Sequence, residues 1–319
     1  MADPSIESRP LGRSGLEVPR IMLGCGNFGG VGSAPEFFGQ GIDEDGAFAL
    51  MDAAWEMGLR HFDTADAYGG GRSEAMIGRW CAARGVRPAI TTKTFNPMNA
   101  GAEHGLAPAR IERQLAASLE RLGTDHVELY LAHEYDPDVP LEDTFAAFEA
   151  ARAEGSIGAY GASNFNAEQL ARAVAAGAPA CVQNAFSLLD RADEGGVLGV
   201  CATHGVAYAG FGPLAGGWLT GKYRRGQPFP SGSRMTQRPE PYAHFVRDGV
   251  FDALETLERV ARERGVSMAG LALAWLLGEP RLTSVVVGPT RPEHLEPVRE
   301  ALANPLDAAT RDELSRVFS

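Results

Sequence analysis

AITTKT at residues 89–94, PARIERQLAASLERLG at 108–123 and HVELYLAH at 126–133 together decide the fold. The outer two are short apolar runs, the pattern of strands buried on both faces. Between them Ile111, Leu115, Leu119 and Leu122 recur at helical spacing, Pro108 opens the segment and Gly123 closes it, as a helix requires. Strand, helix, strand in that order implies a right-handed parallel crossover. The same alternation runs along the chain. Further strands are expected at RIMLGCG (20–26), RHFDTA (60–65), IGAYGAS (157–163), ACVQNAF (180–186), VAYAGFG (206–212) and TSVVVG (283–288), eight in all. Helices are expected near 43–58, 73–83, 141–153, 167–176, 194–204, 251–264 and 267–278, with two more, 292–301 and 307–317, after the last strand. Eight such units favour a closed (β/α)8 barrel over an open doubly wound sheet. RPLGRSGLEVP (9–19) reads as a small N-terminal hairpin. No Gly- or Ser-rich linker divides the chain, so residues 1–319 are expected to form one barrel domain.

Composition narrows the functional classes. Apolar residues make up 45% of the 319 and charged residues 22%, enough for a packed core and unlike a disordered chain. With 29 basic against 41 acidic residues the net charge is −12, which disfavours nucleic acid or an anionic membrane surface as partner but leaves room for a local basic pocket. MADPSIESRP has no apolar signal stretch, and LALAWLL (271–277) is too short to span a bilayer. Cys25, Cys81, Cys181 and Cys201 form no CxxC pair and read as reduced thiols. A cytoplasmic location is the expectation. Only two of the 29 basic residues are lysines, Lys93 and Lys222.

Barrel sites form at the C-terminal ends of the strands. There the second run ends in FDTADAY, giving Asp63 and Tyr68, the third gives Lys93 and the fourth gives His133. Consecutive strands place these four side by side on the rim. Singly each has a bland reading: a strand-end His is usually a paired structural residue, and Asp63 with Lys93 is a plain buried ion pair. As a set they suit proton transfer to oxygen. A phenol is a poor acid at neutral pH, a neighbouring ammonium lowers its pKa, a carboxylate fixes the ammonium, and an imidazole orients a substrate oxygen. The set supplies no obvious nucleophile and no HxH or HxxxH metal pair, so no metal is expected and the carbon chemistry needs an external partner, such as a hydride donor. GGGR (69–72) does not fit a GxGxxG turn. A nicotinamide cofactor would therefore lie across the barrel mouth.

FDTADAYG, TTK, SLERLGTDHVELYLAH, GASNF, VQNAFSLLDR, GPLAGGWLTGKY and VVVGPTR, in that order, resemble the motifs of the aldo-keto reductase superfamily over nearly the whole chain. The resemblance implies that Tyr68 is the general acid/base, supported by Lys93 and Asp63, with His133 orienting a carbonyl. It implies that Ser163, Asn164 and Gln183 hold the nicotinamide carboxamide and that Phe211 stacks on the ring. Gly212, Leu214, Ala215 and Gly216 would line the pyrophosphate path, with Lys222 on phosphate. Gly288, Thr290 and Arg291 would hold the adenosine 2′-phosphate, joined by Arg234. His294 stands where the family often has Gln, and Pro297 and Val298 replace a Glu-Asn pair, so adenine recognition is altered. NADP is the expected cofactor on the strength of Lys222 and Arg291, with NAD the alternative. Gly26, Asn27 and Phe28 at the first strand's end would shape the nicotinamide pocket.

The implied reaction is NADPH-dependent reduction of an aldehyde or ketone, a small molecule, to an alcohol. The main rival is a cofactor-binding regulatory protein on the same barrel, as in the potassium-channel β-subunit-like branch. A barrel hydrolase or lyase using Asp63 and His133 is a second rival. Substrate walls are expected from Phe28, Phe95, Tyr135 and Trp218, with Glu134 meeting a substrate hydroxyl or amine. Gly161 and Gly288 also read as turn glycines, and Phe211 as core packing.

Overall fold

The computed structural model describes residues 6–318; positions 1–5 and 319, the two ends of the expected domain and half of the MADPSIESRP stretch, lie outside the described residues. Two short strands, β1 (Ser8–Pro10) and β2 (Glu17–Pro19), pair antiparallel as the hairpin. Eight parallel strands then close a barrel: β3 (Ile21–Gly24), β4 (His61–Asp63), β5 (Ala89–Thr94), β6 (Val127–Ala132), β7 (Ile157–Ser163), β8 (Cys181–Ala185), β9 (Ala207–Phe211) and β10 (Ser284–Val287), with β10 pairing back onto β3. Every strand expected from the sequence is present, β5 and β7 with the expected bounds and the others shortened at their ends.

The hairpin explains why the barrel has one usable mouth. Its Leu11 and Val18 pack against Leu129, Leu131, Ala159, Cys181 and Ala207 inside the barrel and plug the N-terminal end. Higher up, Met22, Ala209 and Val286 fill the next layer. The interior is thus packed side chain on side chain, with the hairpin covering its N-terminal end. Outside, helices such as Glu44–Glu56, Arg72–Arg84 and Pro108–Leu122 bury Leu50, Ile77, Trp80, Ile111 and Leu115 in one continuous core with the strands. Trp80 and Trp275 are buried in the core. None of the helices among the described residues is long and apolar enough to cross a membrane.

Strand register sets the inward-facing residues. Lys93 pairs in register with the inward Leu131, and Asp63 with Thr91. Because side chains alternate along a strand, Thr91 and Lys93 both face the barrel axis. Two backbone bonds beyond the strands, Asp66 N to Lys93 O at 3.0 Å and His133 N to Thr94 O at 2.9 Å, extend the ladder to the rim and hold the turn carrying Tyr68.

Candidate active site

At the rim the four expected groups converge. The Lys93 ammonium donates to Asp63 Oδ1 at 2.6 Å, to Thr64 O at 2.8 Å and to Tyr68 Oη at 3.5 Å. Lys93 and Asp63 are buried, whereas Tyr68 is half-buried and lines the open cleft. Gln183, reaching across the barrel from β8, donates its Nε2 to Asp63 Oδ2 at 2.7 Å, so both carboxylate oxygens are engaged. The His133 ring stands edge-on to Tyr68 with centroids 5.5 Å apart. His133 Nδ1 is buried and has no hydrogen-bond partner.

The electrostatics correct one expectation. Burial raises the Tyr68 hydroxyl above its ordinary value; Lys93 pulls it down, and Asp63 pushes it up again. The lysine pulls towards acidity, but burial outweighs it, so the phenol is not made unusually acidic here. Burial opposes the charge of Lys93, yet Asp63 and Tyr68 outweigh it and the ammonium is held above its usual range. Burial, followed by Lys93, drives His133 well below the usual imidazole value. At neutral pH the site therefore holds a neutral phenol, a cation–anion pair and a neutral imidazole, which is the state that donates a proton rather than takes one.

A cleft of about 1050 Å³ runs from Asp63, Tyr68 and Gln183 past Gly26, Phe211, Gly212 and Leu214 to Lys222, Arg234, Thr290, Arg291 and His294. It is at the upper end of the range for small-molecule and cofactor sites. Its far end is cationic in an otherwise acidic protein. There Thr290 donates its backbone N–H to His294 Nδ1 at 3.3 Å, and Arg291 Nη2 lies 3.4 Å from His294 Nε2. Burial and then Arg291 and Lys222 lower the His294 pKa. Between the two ends the chain runs through left-handed backbone. Gly216 and Gly217 have φ of 64° and 96°, and Ala215 has φ 47° although it is not glycine. A Cβ on Gly217 would lie 2.3 Å from the Lys222 ammonium, so glycine is what lets that lysine fold over the loop. Asn164, also at positive φ (60°), gives its Nδ2 to His133 O at 2.9 Å and to Glu134 Oε1 at 3.1 Å. Ser163 Oγ donates to Gln183 O at 2.8 Å.

Other expected positions fall differently. Trp218 does not reach the cleft. It is fully buried among Tyr223, Phe229, Phe245 and Phe251, with ring centroids 5.1 to 6.2 Å away, because the long loop after β9 folds around its own aromatic cluster. Phe28 is likewise fully buried, held where Phe28 bridges Ile42, and offers no surface to cofactor or substrate. Asn27 lines the cleft, accepts from Arg234 and donates to Gly288 O at 3.5 Å, so it ties the loop to the β3 and β10 ends. Phe95 and Tyr135 are partly buried, the first edge-on to His104 and the second to Phe165. Sequence reasoning missed Gln237, Arg238 and Tyr242 in the cleft wall; the Tyr242 ring covers Gly216. The only signal for them was the length of the 213–250 connection, which carries a short helix at Arg234–Gln237.

A parallel eight-stranded barrel with a phenol, ammonium, carboxylate and imidazole at its mouth, opening into a long cleft with a basic end, defines a class of barrel oxidoreductases. The chain belongs to the aldo/keto reductase family, whose model matches residues 20–317. It is 34% identical to the uncharacterized oxidoreductase YrpG of Bacillus subtilis (strain 168), over 97% of this chain and 94% of that protein. It is 32% identical to the L-glyceraldehyde 3-phosphate reductase of Escherichia coli (strain K12), over 94% and 88%. It is also 30% identical to a probable voltage-gated potassium channel subunit beta of Oryza sativa subsp. japonica, over 93% and 91%. The solved structure of the glycerol dehydrogenase AKR11B4 from Gluconobacter oxydans superposes with a TM-score of 0.82 at 24% identity, covering 99% of this chain and 95% of that one, a likeness of fold.

Proposed function

We propose that this protein, acting as one barrel domain, uses NADPH to reduce an aldehyde or ketone to an alcohol, with Tyr68 as proton donor. The observation that carries the reading is the continuity of the cleft: the Tyr68 hydroxyl opens into the same space as Lys222, Arg234 and Arg291. The residues fit a dinucleotide phosphate. The cationic end suits its 2′-phosphate, the Gly216–Gly217 backbone suits close approach of a pyrophosphate, and Gln183 in the cleft wall, with Ser163 and Asn164 behind it, would hold the carboxamide. When bound, the cofactor supplies a hydride to the carbonyl carbon.

The chain's own residues do the rest. His133, neutral and with Nδ1 unpaired, fixes the substrate oxygen beside the phenol. Tyr68 then gives its proton to that oxygen as negative charge develops on it. Lys93 stabilises the phenolate left behind, and Asp63, locked by Gln183, keeps Lys93 charged and in place. Unpaired cysteines accord with a reducing, cytoplasmic setting.

The test is NADPH oxidation, followed by loss of absorbance, with a panel of uncharged aldehydes and ketones. Turnover of at least some of them is expected. Tight NADPH binding with turnover of none overturns the enzymatic reading in favour of a cofactor-binding regulatory role.

A further inference from the structure

We propose that Arg238 takes an anionic group of the substrate, so that the site favours aldehydes and ketones carrying a carboxylate or phosphate. The inference rests on the reductase reading above and names its substrate class.

The cleft that holds Tyr68 is walled by the connection after β3, with Val31 and Gly32, and by the long connection after β9, with Gln237, Arg238 and Tyr242. Phe95, Glu134 and Tyr135, on the connections after β5 and β6, do not line it. A short series of contacts joins the phenol to Arg238. A Cβ on Gly26 would lie 3.5 Å from the Tyr68 ring. Gly32 donates its N–H to Gly26 O at 2.7 Å, and its carbonyl accepts from the N–H of Gly69, the residue after Tyr68, at 3.2 Å. A Cβ on Gly32 would in turn lie 3.6 Å from Arg238 Nη1. One segment of glycine backbone thus separates the guanidinium from the turn that carries the phenol. Arg238 Cζ stands over the Phe37 ring, 5.7 Å from its centroid. A guanidinium supported on its flat face keeps its edge N–H groups for a ligand.

The charges of the cleft wall divide into two groups. Lys222 and Arg291 gather at His294, the end that suits the cofactor phosphate. Arg234, one helical turn before Arg238, donates to Asn27. Of the carboxylates, Asp63 is held by Lys93 and Gln183, Asp43 caps the helix Glu44–Glu56 by accepting from Gly46 N, and Glu293 stands on the His294 turn. Among the described residues no carboxylate pairs with Arg238. A half-buried cation without a counter-charge is stabilised by an anion brought to it. Its planar fork matches a carboxylate or phosphate with two parallel hydrogen bonds. The net charge of −12 repels an anion at long range, so an anionic substrate needs a local cation of this kind.

The experiment compares 4-carboxybenzaldehyde with its uncharged methyl ester, methyl 4-formylbenzoate, under NADPH at neutral pH. The kcat/KM for each is measured in the wild-type protein, in Arg238→Gln and in Arg238→Lys, with the NADPH Kd determined alongside. Comparing the acid-to-ester ratio between variants cancels the intrinsic reactivity of the two aldehydes. Arg238→Gln is expected to lower that ratio about tenfold or more, the worth of one charged hydrogen bond. Arg238→Lys, which keeps the charge and loses the fork, is expected to lower it less. A ratio unchanged in Arg238→Gln overturns the proposal while leaving the reductase reading intact, and a fall in NADPH affinity in its place assigns Arg238 to the cofactor. Wild-type turnover of uncharged aldehydes but not of the acid overturns it as well. Failure of the wild-type protein with every aldehyde, charged or not, overturns the reductase reading and this proposal with it.

Discussion

Replacing Lys93 by Met separates what the ammonium does for the fold from what it does for the reaction. The residue is fully buried, and its main partner is the Asp63 carboxylate, 2% exposed and 2.6 Å away. Removing the cation leaves a buried anion whose remaining partner at that carboxylate, among the described residues, is the Gln183 amide at 2.7 Å. Breaking a buried pair from one side costs about 3–5 kcal/mol. At about 2.1 cal/mol/K of unfolding entropy per residue, the 319-residue chain shifts roughly 1.5 °C per kcal/mol, so the Tm should fall by about 4–8 °C. Asp63→Asn, which strands the ammonium, should fall similarly. The double variant Lys93→Met/Asp63→Asn has no unpaired charge left at this position, so most of the lost stability should return. Turnover should not return: with the ammonium gone nothing offsets the burial that already raises the Tyr68 hydroxyl, and the phenolate formed by proton donation has lost its stabilising charge. A fall of about 10²–10⁴-fold in kcat is expected for both the single and the double variant. Differential scanning calorimetry and steady-state NADPH oxidation read the two effects. A double variant that recovers activity along with stability would refute the claim that Lys93 acts on Tyr68. Single variants that melt within a degree or two of wild type would refute the buried pair itself.

Arg291→Ala should weaken NADPH binding by about tenfold or more, the loss of a charged contact to phosphate, and leave NADH binding nearly unchanged; fluorescence titration with both cofactors checks this, and equal weakening of the two would contradict a 2′-phosphate subsite. The pH dependence follows from the signs. The Tyr68 pKa is raised above its ordinary value and that of His133 is lowered well below its own, so the donating state is fully populated across the neutral range. With an uncharged aldehyde, kcat for reduction should be flat between roughly pH 6 and 9. Alcohol oxidation, which needs the phenolate, should climb with pH over the same interval. A reduction profile that rises with pH would contradict the assignment.

The alternation of apolar runs and amphipathic helices specified all eight strands, because each buried strand reads as a short apolar segment whatever its neighbours. Asp63, Tyr68, Lys93 and His133 were legible because strand ends on consecutive strands must be neighbours. What the sequence did not carry was side-chain direction in the loops. Trp218 lies between glycines in a long connection, and nothing in the pattern says that the connection builds its own aromatic core around it. Phe28 follows the end of β3, where one turn of backbone decides between cleft and interior. Tyr242 and Arg238 sit in a stretch without periodicity, so their place in the cleft wall depends on how the loop folds back over Gly216. The sign of the Tyr68 shift was misjudged for a related reason. The spacing of residues revealed the ammonium, but the depth of burial that outweighs it is a property of the packed barrel.

The most direct measurement is Tyr68→Phe, with NADPH affinity determined by fluorescence titration and the single-turnover reduction of an uncharged aldehyde followed by stopped flow on the same preparation. The substitution removes one hydroxyl and leaves the ring in the cleft. The account predicts an NADPH Kd within about threefold of wild type, since a factor of three is under 1 kcal/mol, and a reduction rate lower by about 10²–10⁴-fold. A variant that binds the cofactor and reduces the aldehyde at the wild-type rate would contradict it.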